Sequence, residues 1–189
     1  MSEFLPTRVR LAWLLAPLVL ALTACGPGPQ RVPGQPAPEG LTDANISSVT
    51  QTYNTGEVRI AELAVSKSSN NAIKNFAHKI ARDHNQSNTE LNAILRAREI
   101  EPAPYAATTE IQQAEQNSYR SLENRSGTAF DQAYLDAEIN HHRWLINQLD
   151  DNLIPGARDG ALREYLKKFR ATELGHLREA EQLRNAMKN

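Results

Sequence analysis

Apolar residues recur at three- and four-residue spacing through most of the chain beyond residue 41, with no sustained period-two alternation. Ile46, Val49, Tyr53, Ile60 and Ala64 form one stripe, which predicts a helix over Asp43 to Lys67 capped by Thr42 or Asp43. Ile73, Phe76, Ala77, Ile80, Leu91, Ile94 and Leu95 predict a second, from about Asn70 to Arg98, ended by Glu101-Pro102-Ala103-Pro104. A shorter helix is expected over Thr109 to Asn124. The third long helix is expected over Thr128 to Asn152, with Phe130, Tyr134, Ala137, Leu145 and Leu149 inward. Pro155-Gly156 breaks the chain, and a last helix runs to about Met187 on Leu162, Tyr165, Leu166, Phe169, Leu177, Ala180 and Leu183. Amphipathic helices joined mostly by short loops bury their stripes against one another. The pattern therefore predicts an all-α four-helix bundle over residues 42–189, with an extra short helix between the second and third long helices.

The N-terminus follows a different rule. Arg8 and Arg10 precede an apolar run from Leu11 to Leu22, about 12 residues, where a membrane-spanning helix needs ~20. The run fits the apolar part of a secretory signal, residues 1–24. It ends in Leu22-Thr23-Ala24-Cys25, which resembles the bacterial lipobox. The resemblance implies cleavage before Cys25, lipidation of its thiol and amine, and attachment to a membrane. Gly26, where an Asp would imply inner-membrane retention, implies the outer membrane, facing the periplasm. Residues 25–41, rich in Pro and Gly, read as a tether.

Composition narrows the function classes. Net charge is −1, with 21 basic against 22 acidic residues, and no basic patch interleaves with aromatics, so nucleic acid is not an expected partner. Cys25 is the only cysteine, which excludes an intramolecular disulfide. No free cysteine remains after lipidation and no serine motif stands out, so nucleophilic catalysis has little support.

The informative residues interrupt the apolar stripes. His84 falls near the centre of the second helix's stripe, with Asn88 one turn on, while His78 falls on the opposite face. Glu138 lies within the third helix's apolar arc, flanked by His141 and His142; Glu173 and His176 interrupt the last stripe; Glu57 lies at the margin of the first. Glu138-x-x-His141 and Glu173-x-x-His176 each set a carboxylate and an imidazole on one face. Two such pairs and a carboxylate from each remaining helix make the di-metal site of ferritin-like bundles. Here the second helix carries Asp83-His84 instead, so a mixed one-metal site using His84, His141 or His142, His176 and a Glu is an equal expectation. Fe, Cu and Zn suit such donors. The same residues could instead satisfy one another by hydrogen bonds and fix the bundle's register. Tyr53, Tyr134 and Tyr165 could supply hydroxyl partners, Asp83 reads as a surface or hydrogen-bonding residue rather than a ligand, and Trp144 reads as core or interface packing.

Helical rise tests whether these groups share a level. In an up-down bundle measured from the Ser68 and Pro155 turns, Glu57 lies ~17 Å in, His84 ~23 Å, Glu138 ~24 Å, Glu173 ~28 Å and His176 ~33 Å. If the short helix instead carries the chain back across the bundle, the last two helices invert and the layer is expected to disperse.

Asp83-His84-x-x-x-Asn88, Gly127-Thr-Ala-Phe130-Asp131-x-x-Tyr134, a histidine twelve residues after Phe130, and His176 together resemble a large bacterial family of exported proteins defined only as a domain of unknown function. The resemblance spans roughly Leu41 to Ala186 and implies a ferritin-like fold and an envelope location, with no established reaction. Glu57, Asp83, His84, Phe130, Asp131, Tyr134, His142 and His176 match its pattern; Glu138, His141 and Glu173 do not, which favours His142 over His141. Two functions are expected from this. One is a non-catalytic binding or structural bundle of the cell envelope, with a role in stress as one form of it. The alternative is a metal-binding or di-metal redox protein.

Overall fold

A computed structural model describes residues 40–187. The predicted signal peptide, Cys25 and nearly all of the tether lie outside them. The described residues form five helices and no strand: α1 (Asp43–Lys67), α2 (Asn71–Arg98), α3 (Ala106–Glu123), α4 (Gly127–Gln148) and α5 (Gly160–Ala186). None is long and apolar enough to cross a membrane.

Local chemistry sets most of the boundaries. Thr42 caps α1, its hydroxyl accepting from the Asn45 N–H at 3.2 Å. Asn70 and Asp159 cap α2 and α5 in the same way. The crossing helix α3 begins three residues earlier than expected, two residues after Pro104, with Tyr105 at its N-cap position. Pro155 does not break the chain. After α4 the helix loosens into a π-helical turn, Leu149–Leu153, and Pro155 sits in a last helical turn, Ile154–Gly156, immediately after it. The break comes at Ala157–Asp159.

Contacts between ends fix the helix directions. The Ala103 N–H donates to the Ala44 carbonyl at 3.0 Å, which puts the start of α3 beside the start of α1. Lys67 at the end of α1 reaches the Glu123 carbonyl at the end of α3. Both oxygens of Asp43 accept from the turn before α5, from the N–H groups of Arg158 at 2.7 Å and Asp159 at 3.0 Å. Thus α1, α3 and α5 run one way, and α2 and α4 the other. The short helix does carry the chain back, and the last two helices are inverted relative to a simple up-down order.

The expected dispersal does not follow. From the Asp43 end, Glu57 and His84 both lie ~21 Å in, His142 ~21 Å when counted from Gly156, Glu173 ~20 Å and His176 ~24 Å. Residues near a helix midpoint keep their level when the helix is reversed, so inversion gathers this set. One apolar core lies on each side of that level. Ile46, Leu91, Leu95, Leu149, Leu162 and Leu166 belong to the core nearer Asp43, and Ile60, Ile73, Phe76, Ile80, Phe130 and Tyr134 to the other.

Asp43 closes the ring of helices, so Asp43→Ala should lower unfolding free energy by about 1–3 kcal/mol, the usual cost of orphaning charge-assisted hydrogen bonds. Urea titration of the two proteins at neutral pH measures it.

Candidate metal centre

Between the two apolar cores, α2, α4 and α5 bring four side chains together: His84, His142, Glu173 and His176. Each is at most 1 % exposed. One donor atom from each lies within 4.8 Å of the others. The closest pairs are His142 Nε2 to His176 Nδ1 and to Glu173 Oε2, both 3.3 Å, and Glu173 Oε1 to His84 Nε2 and to His176 Nδ1, both 3.8 Å.

An acceptor behind each ring decides which nitrogen carries the proton. Asn54 of α1 donates its amide N–H groups to Ser87 Oγ at 3.1 Å and Asn88 Oδ1 at 3.0 Å. Its Oδ1 is thereby left to accept from His84 Nδ1 at 2.8 Å. The Glu138 carbonyl accepts from His142 Nδ1 at 2.8 Å. Asp83 Oδ2 accepts from His176 Nε2 at 3.0 Å. Each ring therefore spends its N–H outward and turns a lone pair inward. The 3.3 Å contact between His142 Nε2 and His176 Nδ1 is then two lone pairs facing each other. The carboxylate beside them has no hydrogen-bond partner on either oxygen, and His84 Nε2 has none. Such an arrangement needs a proton or a cation among the inward atoms.

Above this group, Glu57 of α1 and Glu138 of α4, both 0 % exposed, form an acid pair. Glu57 Oε1 accepts from His141 Nδ1 at 3.0 Å, and Ser118 of α3 meets the other His141 nitrogen at 3.0 Å. Glu57 Oε2 and both Glu138 oxygens have no hydrogen-bond partner, nor do the Tyr53 and Tyr134 hydroxyls beside them. Glu57, Glu138 and His142 also offer donor atoms within 4.8 Å of one another.

Burial drives the ionisation of the whole layer. It pushes His84 down to about 3 and His142 to about 4, against the pull of the Glu57 charge. It lowers His176 too, with Asp83 opposing. Glu138 and Glu173 are raised well above the carboxylate range by burial and then by the Glu57 charge. For Glu57 itself burial is outweighed by the hydrogen bond and charge of His141, so it stays ionised, and His141 is correspondingly raised.

Glu173-x-x-His176 thus acts as a pair, but Glu138-x-x-His141 does not. His141 turns to α1 and α3, and His142 takes its place. Trp144, read as core or interface packing, is 36 % exposed and so lies outside the core. Tyr165 finds Ser87 Oγ at 2.6 Å, whereas Tyr53 and Tyr134 find no partner. Sequence reasoning missed Asn54 and Glu115. Asn54 lies three residues before Glu57 on the same stripe, a signal that could have found it. Glu115 of α3 had none, because the crossing helix's inner face depends on the topology. Burial, then the Glu57 charge, raises its carboxyl to about 9.

A family model described as a domain of unknown function, DUF4142, matches residues 28–183, and the chain belongs to that family. The match begins within the Pro- and Gly-rich stretch. No curated protein and no solved structure matches the chain.

Linkage fixes how metal-free protein responds to pH. Folded His84 and His142 refuse protons that the unfolded chain takes near 6.5, so acidification below that value favours unfolding. Folded Glu138 and Glu173 keep protons that the unfolded chain releases near 4.5, so alkalinisation above that value also favours unfolding. The two slopes oppose each other between about 4.5 and 6.5, and stability should peak there. Urea midpoints from pH 4 to 9 test this; a midpoint still climbing at pH 8 would contradict protonated carboxyls.

Proposed function

We propose that this chain is a transition-metal-binding bundle of the cell envelope, with His84, His142, His176 and Glu173 as ligands. The observation that carries the reading is the inward convergence of three imidazole lone pairs on an unpartnered carboxylate, each ring fixed by its own outer acceptor. Ligands ~2.0–2.1 Å from a tetrahedral ion stand ~3.3–3.4 Å apart, and the closest pairs here are 3.3 and 3.8 Å. Three nitrogens and an oxygen suit Zn, Fe or Cu. Four protein ligands complete a tetrahedral shell, whereas catalytic sites keep a position open, which favours binding over turnover. An ion here replaces the proton that the facing lone pairs otherwise require.

The envelope location rests on the lipobox-like Leu22-Thr23-Ala24-Cys25 and on the family. Lipid on Cys25 would anchor the domain to the outer membrane, facing the periplasm. The ferritin-like relationship rests on the single long crossover, through α3, between the second and third long helices. A second reading, with two ions, is favoured by the unpartnered oxygens of Glu57 and Glu138 beside His142.

Elemental analysis of chain purified without a histidine tag, after exposure to Fe(II), Cu(II) and Zn(II), should find one equivalent of one metal. Two equivalents, falling to one in Glu57→Gln, would establish the second reading. His84→Ala and His176→Ala should abolish stoichiometric binding. Asn54→Ala and Asp83→Asn, which touch only the outer nitrogens, should weaken it roughly 10- to 100-fold. A chain that takes up none of the three metals while remaining folded would leave hydrogen bonding and register as the layer's whole role.

A further inference from the structure

Of the three residues that supply acceptors behind the imidazoles, Asn54 and Glu138 are 0 % exposed, and Asp83 alone reaches solvent, with 21 % of its side chain exposed. Asp83 lines a groove of about 270 Å³ between α2 and α5. Gln86 and Ser87 stand on the α2 side, Lys168 and Thr172 on the α5 side, and the nearly buried Tyr165 and Phe169 complete the lining. The two rings stack on each other, with centroids 5.9 Å apart and planes at 10°. Phe169 also sets its ring against His84, with centroids 6.0 Å apart and planes at 83°. One phenyl ring therefore touches both the groove and a ligand of the candidate metal centre. Asp83 makes a second, polar link: its Oδ2 accepts from His176 Nε2 at 3.0 Å, while Oδ1 meets the exposed guanidinium of Arg82 at 2.9 Å.

A hydrogen bond ties this ring pair to the far wall. The Tyr165 hydroxyl on α5 meets Ser87 Oγ on α2 at 2.6 Å. An ion bound for the centre has to cross this protein without shedding its water into apolar packing, because a bare charge there is costly. Apolar cores close the layer at both of its ends. On the opposite flank, a cleft of about 300 Å³ between α1, α3 and α4 also reaches a ring beside the ligands, Tyr53, whose centroid is 5.8 Å from that of His84. None of the three outer acceptors lines that cleft. The groove between α2 and α5 offers what the cleft lacks, a solvent-reaching carboxylate already in hydrogen-bond contact with a ligand.

We infer that the metal ion enters and leaves the centre through the groove between α2 and α5, past Asp83, and that the Tyr165–Ser87 hydrogen bond latches the Tyr165–Phe169 ring pair across the opening. The inference rests on the metal reading above and adds to it a route and a gate. Such a latch hinders passage inward and outward by the same factor. It therefore sets the rates of exchange and leaves affinity unchanged.

Exchange kinetics of the full chain in detergent test it, with whichever of Zn(II), Cu(II) and Fe(II) the chain binds. Release is read by mixing loaded protein with excess EDTA and assaying the metal left on it. Uptake is read by mixing metal-free protein with the same metal and stopping with EDTA at timed intervals. Tyr165→Phe should raise both rates on the order of fivefold, the shift in an opening equilibrium when one neutral hydrogen bond is lost, and leave their ratio within about twofold. Gln86→Trp, at an exposed position, should slow both roughly threefold or more by filling the groove. Trp144→Ala, which widens the opposite cleft, should change neither. Circular dichroism checks that each variant keeps its helices. Wild-type rates in either Tyr165→Phe or Gln86→Trp would overturn the inference. So would faster exchange in Trp144→Ala, or a Tyr165→Phe protein that releases faster but takes up metal at the wild-type rate, since lost ligand positioning raises release alone. A chain that binds none of the three metals removes the metal reading and this inference together; a loaded chain whose rates ignore these variants removes this inference alone.

Discussion

Everything in this bundle is arranged around one electrostatic constraint: a layer of ionisable side chains is sealed between two apolar cores. Glu57, His84, Glu138, His142, Glu173 and His176 are all at most 1 % exposed. Charges cannot be left bare at that depth, so each group must be neutral, paired or bound to an ion. Glu57 is paired with His141, the other two carboxyls hold protons, and the three inner imidazoles stay neutral. The rest of the molecule serves to keep this layer aligned.

Alignment is achieved by backs rather than faces. The inward nitrogens have little to hold them, but each outward nitrogen has one acceptor, from a different structural source: an amide on α1, a main-chain carbonyl of α4 and a carboxylate on α2. Asn54 is itself oriented by Ser87 and Asn88, and Ser87 by Tyr165. Four helices therefore vote on the orientation of rings that only three of them carry. This is the arrangement by which outer partners raise ligand basicity and fix the tautomer in metal proteins generally.

The helices were legible in the sequence because their stripes are long and their caps are local. Asp43–Lys67 was readable residue for residue, and Pro155 misled because its place in a last helical turn depends on what precedes it. The participants at the centre were legible as polar breaks in apolar stripes: His84, Glu173 and His176 needed nothing more. Choosing His142 over His141 was not possible from spacing alone, since both sit on inward-leaning positions of one helix. The structure separates them by their neighbours, Glu57 and Ser118 on one side and His176 and Glu173 on the other. Helix direction was the least legible feature. It depends on which end of α3 meets α1, a contact between residues 103 and 44 that no local pattern encodes.

Every one of the five helices contributes to both cores, so the polar layer lies across the middle of continuous helices rather than between separable halves. The unpartnered atoms of that layer leave the helix mid-spans tied together by fewer hydrogen bonds than their polar content allows. Under the proposed metal reading, one ion would supply that missing tie, and its effect on backbone hydrogen exchange would be felt at mid-span, far from any helix end.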